Sequence, residues 1–476
     1  MPSLLVIIPL IGILILNLPL GKIMRKAAFW LALILTIGQA SLVAFAGRGF
    51  WADFSGPLAK YFPVSLAASD DLSLVVLLAI GLVSLAALLV GRGLIADEDE
   101  CFVFINLLLL AMTGMNGIAM VSDLFSLYVF LEITAVSSFI LIALRRDRDG
   151  LEGAFKYLVL SAVATVLMLS AIAILFLVGG HTSFVTVRTA LSGAPNSMII
   201  DVALCLFIAG LLIKGGLVPF HGWLPDAYSS APAPASILLA GIITKTTGVY
   251  TLMRLVKDVF PPNSDMNNIL MLAGTVSILV GALAALEQKD FKRMLAYSSI
   301  SQVGYIILGF GTGTELGFAG AVFHLFNHAI FKSQLFVNAA AVEEQTGSRD
   351  MDAMGGLAAR MPVTGFTSAV ACLSTAGIPP LAGFWSKLII ILALWKAGDY
   401  TYAVIAILAS VITLAYFLSL QRRVFFGKLA RGFEQLREAR WSLLIPAILL
   451  TLITIGIGVF FPFFVNTIIL PIRSIL

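Results

Sequence analysis

Seven side chains that can exchange protons stand inside apolar runs: Glu132, Lys214, Lys245, His324, His328, Lys332 and Lys387. A lysine at the centre of a bilayer costs roughly 2.5–3.5 kcal/mol on insertion scales. A bundle built only to hold together has little use for several. Lys214, Lys245 and Lys387 are flanked by apolar residues on both sides, so snorkelling to an interface is hard for them. Lys156, near the start of its apolar run, could keep its ammonium in water. Glu132, in DLFSLYVFLEITAVSSFIL, is costly unless protonated or paired, and a buried lysine is the simplest partner. A carboxylate nearby raises a lysine's pKa and burial lowers it. A Glu132 that approaches or leaves Lys214 is therefore a proton switch, and one that stays put is a fixed ion pair.

His324, His328 and Lys332 recur every four residues in AVFHLFNHAIFKSQLF. On a helix they form one polar stripe, with Asn327 beside it. Imidazole exchanges protons near neutral pH, which fits a proton relay; a structural polar contact between helices is the plainer alternative. A metal site would need a third ligand, and the other histidines, His181 and His221, fall near expected membrane surfaces.

The elements that carry these groups follow from composition. Of 476 residues, 60% are hydrophobic and 12% charged, with a mean hydropathy of +1.02. Soluble domains carry about a quarter charged residues. The apolar residues fall in blocks of 18 or more, the length a bilayer core requires. The expectation is an all-α polytopic membrane protein with about fourteen spans near 3–20, 28–46, 72–91, 102–121, 123–144, 153–179, 199–217, 231–256, 268–286, 294–312, 316–341, 362–395, 400–421 and 441–466. The first run lacks a basic region before it and a cleavage site after it, so it reads as a span rather than a removable signal.

Two spans are broken: the seventh at Gly215, Gly216 and Pro219, the twelfth at Gly377, Pro379 and Pro380. Proline removes a backbone donor, and freed backbone groups at bilayer depth survive only inside protein or beside a wet cavity. Broken helices at matching places point to inverted repeats and an ion site near the midplane. Spans 4–8 and 9–13 form the two five-helix units. The expected division is 1–100, 101–258, 266–425 and 426–476.

Loops after odd-numbered spans hold 18 Lys and Arg, including Lys292, and the opposite side holds seven, including Arg48, Lys60, Arg254, Lys257 and Arg473. The positive-inside rule then puts both termini on the non-cytoplasmic side. Residues 421–441 form a basic amphipathic stretch, expected to lie on the cytoplasmic interface or to dock a partner subunit. Cys101, Cys205 and Cys372 are isolated, which excludes a cysteine-ligated iron–sulfur cluster within this chain. No cofactor is expected. GFGTGTELG at 309–317 has no strand before it and is no dinucleotide fingerprint.

The run KGGLVPFHGWLPDAYSSAPAPASILLAGIITKTTGVY, with FLEITAVSSFIL, KRMLAYSSISQVGY, HLFNHAIFKSQLF and GIPPLAGFWSK, resembles the antiporter-like membrane subunits. These are shared by respiratory complex I, Mrp-type Na+/H+ antiporters and energy-converting membrane-bound hydrogenases. The resemblance covers about residues 70–425. It implies fourteen helices, two inverted five-helix repeats with helices 7 and 12 broken, and a central hydrophilic axis. It also implies a glutamate–lysine pair at Glu132 and Lys214, a bridging Lys245, a central relay of His324, His328 and Lys332, and a terminal Lys387. The chain ends ten residues after its last expected span, which places it with the shorter subunits that lack a lateral helix. LLAGIITKTTGVY is nearer to the Mrp and hydrogenase branch than to mitochondrial complex I. The expected function is translocation of protons, or sodium, as a non-redox subunit of a multi-subunit membrane redox complex. A secondary Na+/H+ antiporter subunit is the alternative, to which Glu132 or Asp123 could contribute an oxygen donor for sodium. A scaffold with relic polar residues is the third reading.

Overall fold

A computed structural model describes residues 2–19, 22–45, 70–193, 198–260 and 263–464. It is helical throughout, with only two isolated β-bridges among the described residues. The helices are α1 Pro2–Leu16, α2 Lys22–Phe45, α3 Asp71–Leu94, α4 Glu98–Met120, α5 Leu124–Ile142 and α6 Arg148–Gly179. A short helix, Phe184–Ser192, precedes α7 Met198–Gly215 and α8 Trp223–Ser230. Then come α9 Ala233–Asp258 and α10 Ser264–Leu286, followed by α11 Phe291–Gly311, α12 Glu315–Thr346, α13 Pro362–Ala376, α14 Ala382–Ala397, α15 Tyr400–Leu420 and α16 Trp441–Val459.

A helix or a broken pair of helices stands at each of the fourteen expected intervals. Eleven described helices are long and apolar enough to cross a membrane. The chain is an integral membrane protein. α1 is left out of the eleven because its apolar helix is short; α12 is left out by composition, because it carries the His–His–Lys stripe; the pair α13 and α14 is left out because the break shortens each part. Arg48, Lys60 and Arg473 lie outside the described residues.

The chain divides into two compact units. The first takes in the described residues of Met1–Leu88, Ile95–Gly216 and Ile242–Asn263. The second takes in those of Leu89–Leu94, Leu217–Gly241 and Ser264–Leu476. Within the first, α4 packs against α1 and α5, and α6 against α7. Within the second, α10 lies along α11, and α12 sits among α11, α14 and α16.

The helix ends are written in short polar residues. Asp123 caps α5 by accepting from the Ser126 amide at 2.8 Å, and Asp290 caps α11 by accepting from the Arg293 amide at 2.8 Å. Both use a carboxylate at the positive end of a helix. The same features recur in each half of the chain. α6 and α12 are both 32 residues long, and each is followed by a left-handed glycine, Gly180 or Gly347. Each aspartate cap also forms an isolated bridge to the stretch after the long helix, Asp123 with Ser183 and Asp290 with Asp350. The two breaks match as well: Gly216 and Gly377 take positive φ, 67° and 89°, and a proline follows three residues later in each.

The 421–441 stretch is irregular for most of its length. A π-helical turn, Gln421–Phe425, ends α15, and irregular chain follows to Arg440. Arg423 bonds to Asp352, Arg440 pairs with Glu344 at 2.6 Å, and Glu438 accepts from the Val363 amide and the Thr364 hydroxyl, each at 2.7 Å. Charged side chains thus tie it to the ends of α12 and α13. Lys292, Arg254 and Lys257 are not loop cations: their side chains are 2, 5 and 8% exposed. Each is held by acidic partners at the end of a span; sequence hydropathy draws the boundary inside Lys292 and Lys257, while Arg254 falls within the expected 231–256. Asp123, the other candidate oxygen donor, lies apart from Glu132. Nine residues separate them on a helix, about 13 Å at 1.5 Å per residue, and Asp123 is occupied by its cap and by the Thr182 hydroxyl.

Candidate functional site

In the first unit, α5, α6 and α7 bring three polar groups to one place. The Lys214 Nζ lies 3.3 Å from Glu132 Oε1 and donates to the Ser161 hydroxyl at 3.2 Å. Glu132 also accepts from Thr165 at 2.6 Å. Lys214 is 2% exposed and Glu132 32%, so the lysine is sealed while its carboxylate reaches the edge of the unit. Lys214 stands on the last turn of α7, before the break. Burying an ion pair seldom adds stability against an apolar alternative. Here two further hydroxyls, Ser161 and Thr165, share in holding the pair at the helix break.

Lys245 is fully buried in α9. α9 is not a plain α-helix. π-helical turns occupy Leu239–Ile243 and Lys245–Tyr250, a feature that concentrates at functional sites. Thr246 and Thr247 bond back to the carbonyls of Ile242 and Ile243, and Thr251 to that of Thr246, a pattern that bends helices. Gly248, one turn past Lys245, lies against the backbone of Gly215. The two lysine-bearing segments are therefore in direct backbone contact at the break.

In the second unit the stripe on α12 is fully buried. The rings of His324 and His328 are parallel within 6°, their centroids 6.3 Å apart. His324 Nδ1 shares a 2.8 Å hydrogen bond with the Ser386 hydroxyl. The Lys332 Nζ donates to the Leu295 carbonyl at 2.9 Å and to the Ser298 hydroxyl. Lys387, beside Ser386 on α14, has its Nζ 4.4 Å from the centroid of Tyr305. This is a cation–π contact, and the Nζ has no hydrogen-bond partner among the described residues. Tyr305 also stands 6.0 Å from His324, centroid to centroid. Tyr305 and Ser386 thus link Lys387 to the histidine stripe. Asn327 donates to the Ala382 carbonyl at 3.1 Å, fastening α12 to the start of α14. No third His, Cys, Asp or Glu joins the histidines among the described residues.

The structure separates the expected residues into two clusters, Glu132, Lys214 and Lys245 in one unit and His324, His328, Lys332 and Lys387 in the other. Lys156 belongs to neither. It is 42% exposed and pairs with Glu152 at 2.7 Å along the surface of α6. Sequence reasoning missed Ser161, Thr165, Ser298, Tyr305 and Ser386. Only SSISQ within α11, a polar run in an apolar helix, offered a signal for the α11 residues. It missed Arg254 too, which pairs with Asp70 and, at 3.0 Å, with Asp258.

A buried acid–base set on broken membrane helices defines an ion-handling membrane protein by its chemistry. The family model described as NADH:quinone oxidoreductase/Mrp antiporter, TM, matches residues 121–413, and this chain belongs to that family. It is 33% identical over 399 residues to a Na(+)/H(+) antiporter subunit of Alkalihalophilus pseudofirmus, covering 83% of this chain and 80% of that one. It is 35% identical over 365 residues to an NADH-quinone oxidoreductase subunit of Desulforudis audaxviator, covering 75% and 73%. Among solved structures, a chain of the membrane-bound sulfane sulfur reductase, an archaeal respiratory membrane complex, matches with a TM-score of 0.87 at 27% identity, covering 100% and 97%.

Proposed function

We propose that this chain is an ion-translocating, antiporter-like subunit of a multi-subunit membrane redox complex. Protons, or sodium ions, pass by way of Glu132, Lys214 and Lys245 in one unit and of His324, His328, Lys332 and Lys387 in the other. The observation that carries this reading is the Lys214–Glu132 pair at the break of α7. Moving the carboxylate relative to the ammonium changes how firmly the lysine holds its proton. The partly exposed Glu132 and the glycine-hinged break give that motion somewhere to occur. The chain itself acts without a bound cofactor, and the driving reaction belongs to partner membrane subunits. The membrane is the prokaryotic cytoplasmic membrane, with both termini on its non-cytoplasmic side.

A second reading is a subunit of an Mrp-type secondary Na+/H+ antiporter without redox chemistry, which the 33% identity to the Alkalihalophilus antiporter chain favours. Co-purification separates the two, because redox subunits accompany the chain only in the first. For both, Lys214→Met abolishes coupled ion transport by the purified, reconstituted complex while the complex still assembles. Transport at the wild-type ratio to the driving reaction would remove Lys214 from the path.

A further inference from the structure

The second unit holds a glutamate–lysine pair of its own. Lys292, on the first turn of α11, is 2% exposed, and its Nζ lies 3.2 Å from Oε2 of Glu343, which is 30% exposed. The Lys214–Glu132 pair has nearly the same geometry, 3.3 Å with exposures of 2 and 32%. Lys292 also donates to the Ala231 carbonyl at 3.3 Å. Arg349 brackets the site: its Nε is 3.4 Å from Asp290 and 4.0 Å from Glu343, and it donates to the Ser229 carbonyl at 2.6 Å. The pair sits at the outer end of the relay. Eleven residues separate Glu343 from Lys332 on α12, about 16 Å along the axis. Lys332 reaches α11 at Leu295 and Ser298, one to two turns beyond Lys292. Accessibility falls steadily inward, from the partly exposed Glu343 to the nearly sealed Lys292 to the fully buried Lys332.

We infer that Lys292 and Glu343 form a second switch that loads protons from the aqueous end of the second unit toward Lys332. This rests on the proposed translocating function and adds an entry site to it. Glu343 takes a proton from water, forming an O–H bond. Lys292 gives an N–H proton inward to a neutral Lys332, whose Nζ meets the Ser298 hydroxyl on α11, and Glu343 then returns its proton to Lys292. Each transfer breaks one bond to hydrogen and makes one, and the pair ends in its starting state. Arg349, paired with Asp290 and bonded to the Ser229 carbonyl, holds that backbone in place while the proton moves.

The test uses the whole complex in vesicles with an internal pH-sensitive dye. Lys292→Met/Glu343→Gln removes both charges together and leaves no unpaired buried ion. It is expected to assemble with unchanged thermal stability and to lose proton transport at least tenfold. Glu343→Asp, which keeps the carboxyl, is expected to retain most of it. A double variant that transports within twofold of wild type overturns the loading role. Failure of that variant to assemble also overturns it, because an uncharged pair of similar bulk is lost only where the ion pair is structural. Lys214→Met, measured in parallel, separates the two ideas: normal transport there brings down the Lys214 path, whatever the Lys292 result.

Discussion

At the scale of single residues, the ionisable groups were legible because they are expensive where they stand, and a bundle has no cheap reason to keep them. Their partners were not legible. Ser161, Thr165 and Ser386 are small hydroxyl residues like dozens of others, and only the fold shows which of them touches a lysine. Lys292 was hidden for another reason: it sits where an apolar run begins, so its charge reads as solvated. Arg254 shows the same blindness and gives a prediction of its own. It is 5% exposed and holds Asp70 and Asp258. Arg254→Met leaves two carboxylates without their main partner and is expected to cost about 3–5 kcal/mol, as when one member of a buried pair is removed. Thermal unfolding of the purified protein checks this. Burial pushes the Asp70 carboxyl up, but the Arg254 guanidinium and the Ser73 amide outweigh it and hold the group below its ordinary value. Because the folded value is the lower one, the stabilisation is complete above the unfolded pKa of about 3.9 and fades as pH falls further. The stability gap between wild type and Asp70→Asn should therefore stay constant from neutrality down to about pH 4 and close below it.

At the scale of elements, the broken helices were readable from glycine and proline, whose backbone requirements are local. The π-helical turns of α9 were not, because ILLAGIITKTTGVY has an unexceptional helical pattern and the widening depends on what packs against it. Gly248 is the visible cost of that packing. A Cβ there would run into the backbone of Gly215, which cannot rotate away as a side chain can. Gly248→Ala should push α9 off the α7 break and destabilise by about 1–3 kcal/mol, the usual penalty of overpacking. It should also lower transport more than Gly456→Ala, a helical position on α16 with open space around it. The capping aspartates tell a related story. Asp123, named as a candidate oxygen donor, finishes a helix and also accepts from the Thr182 hydroxyl.

At the scale of the molecule, the class of fold was legible from composition and span length alone, while the grouping of the spans into compact units was not. Contact between distant segments, not hydropathy, decides which unit a helix joins. Orientation follows from charge asymmetry and is open to a direct check. Gln435, in the stretch pinned to the ends of α12 and α13, is exposed. In a Cys205→Ser background, Gln435→Cys should react with a membrane-impermeant maleimide from the cytoplasmic face only. Labelling from the opposite face would reverse the topology.

The assignment of Leu217–Gly241 to the second unit has a consequence for how the protein is made. These residues leave the ribosome before Ile242–Asn263, yet those later residues complete the first unit. The earlier ones must wait for Ser277, which receives the Val218 amide, and for Arg349, which binds the Ser229 carbonyl. At roughly 5–20 residues per second, the last of these partners arrives about 5–20 s after residue 241 is synthesised. During that interval the newborn chain holds a completed first unit and a stretch whose Val218 amide and Ser229 carbonyl still lack the partners they bond in the finished fold. The second half of α7's break is, in this sense, a component delivered early and installed late.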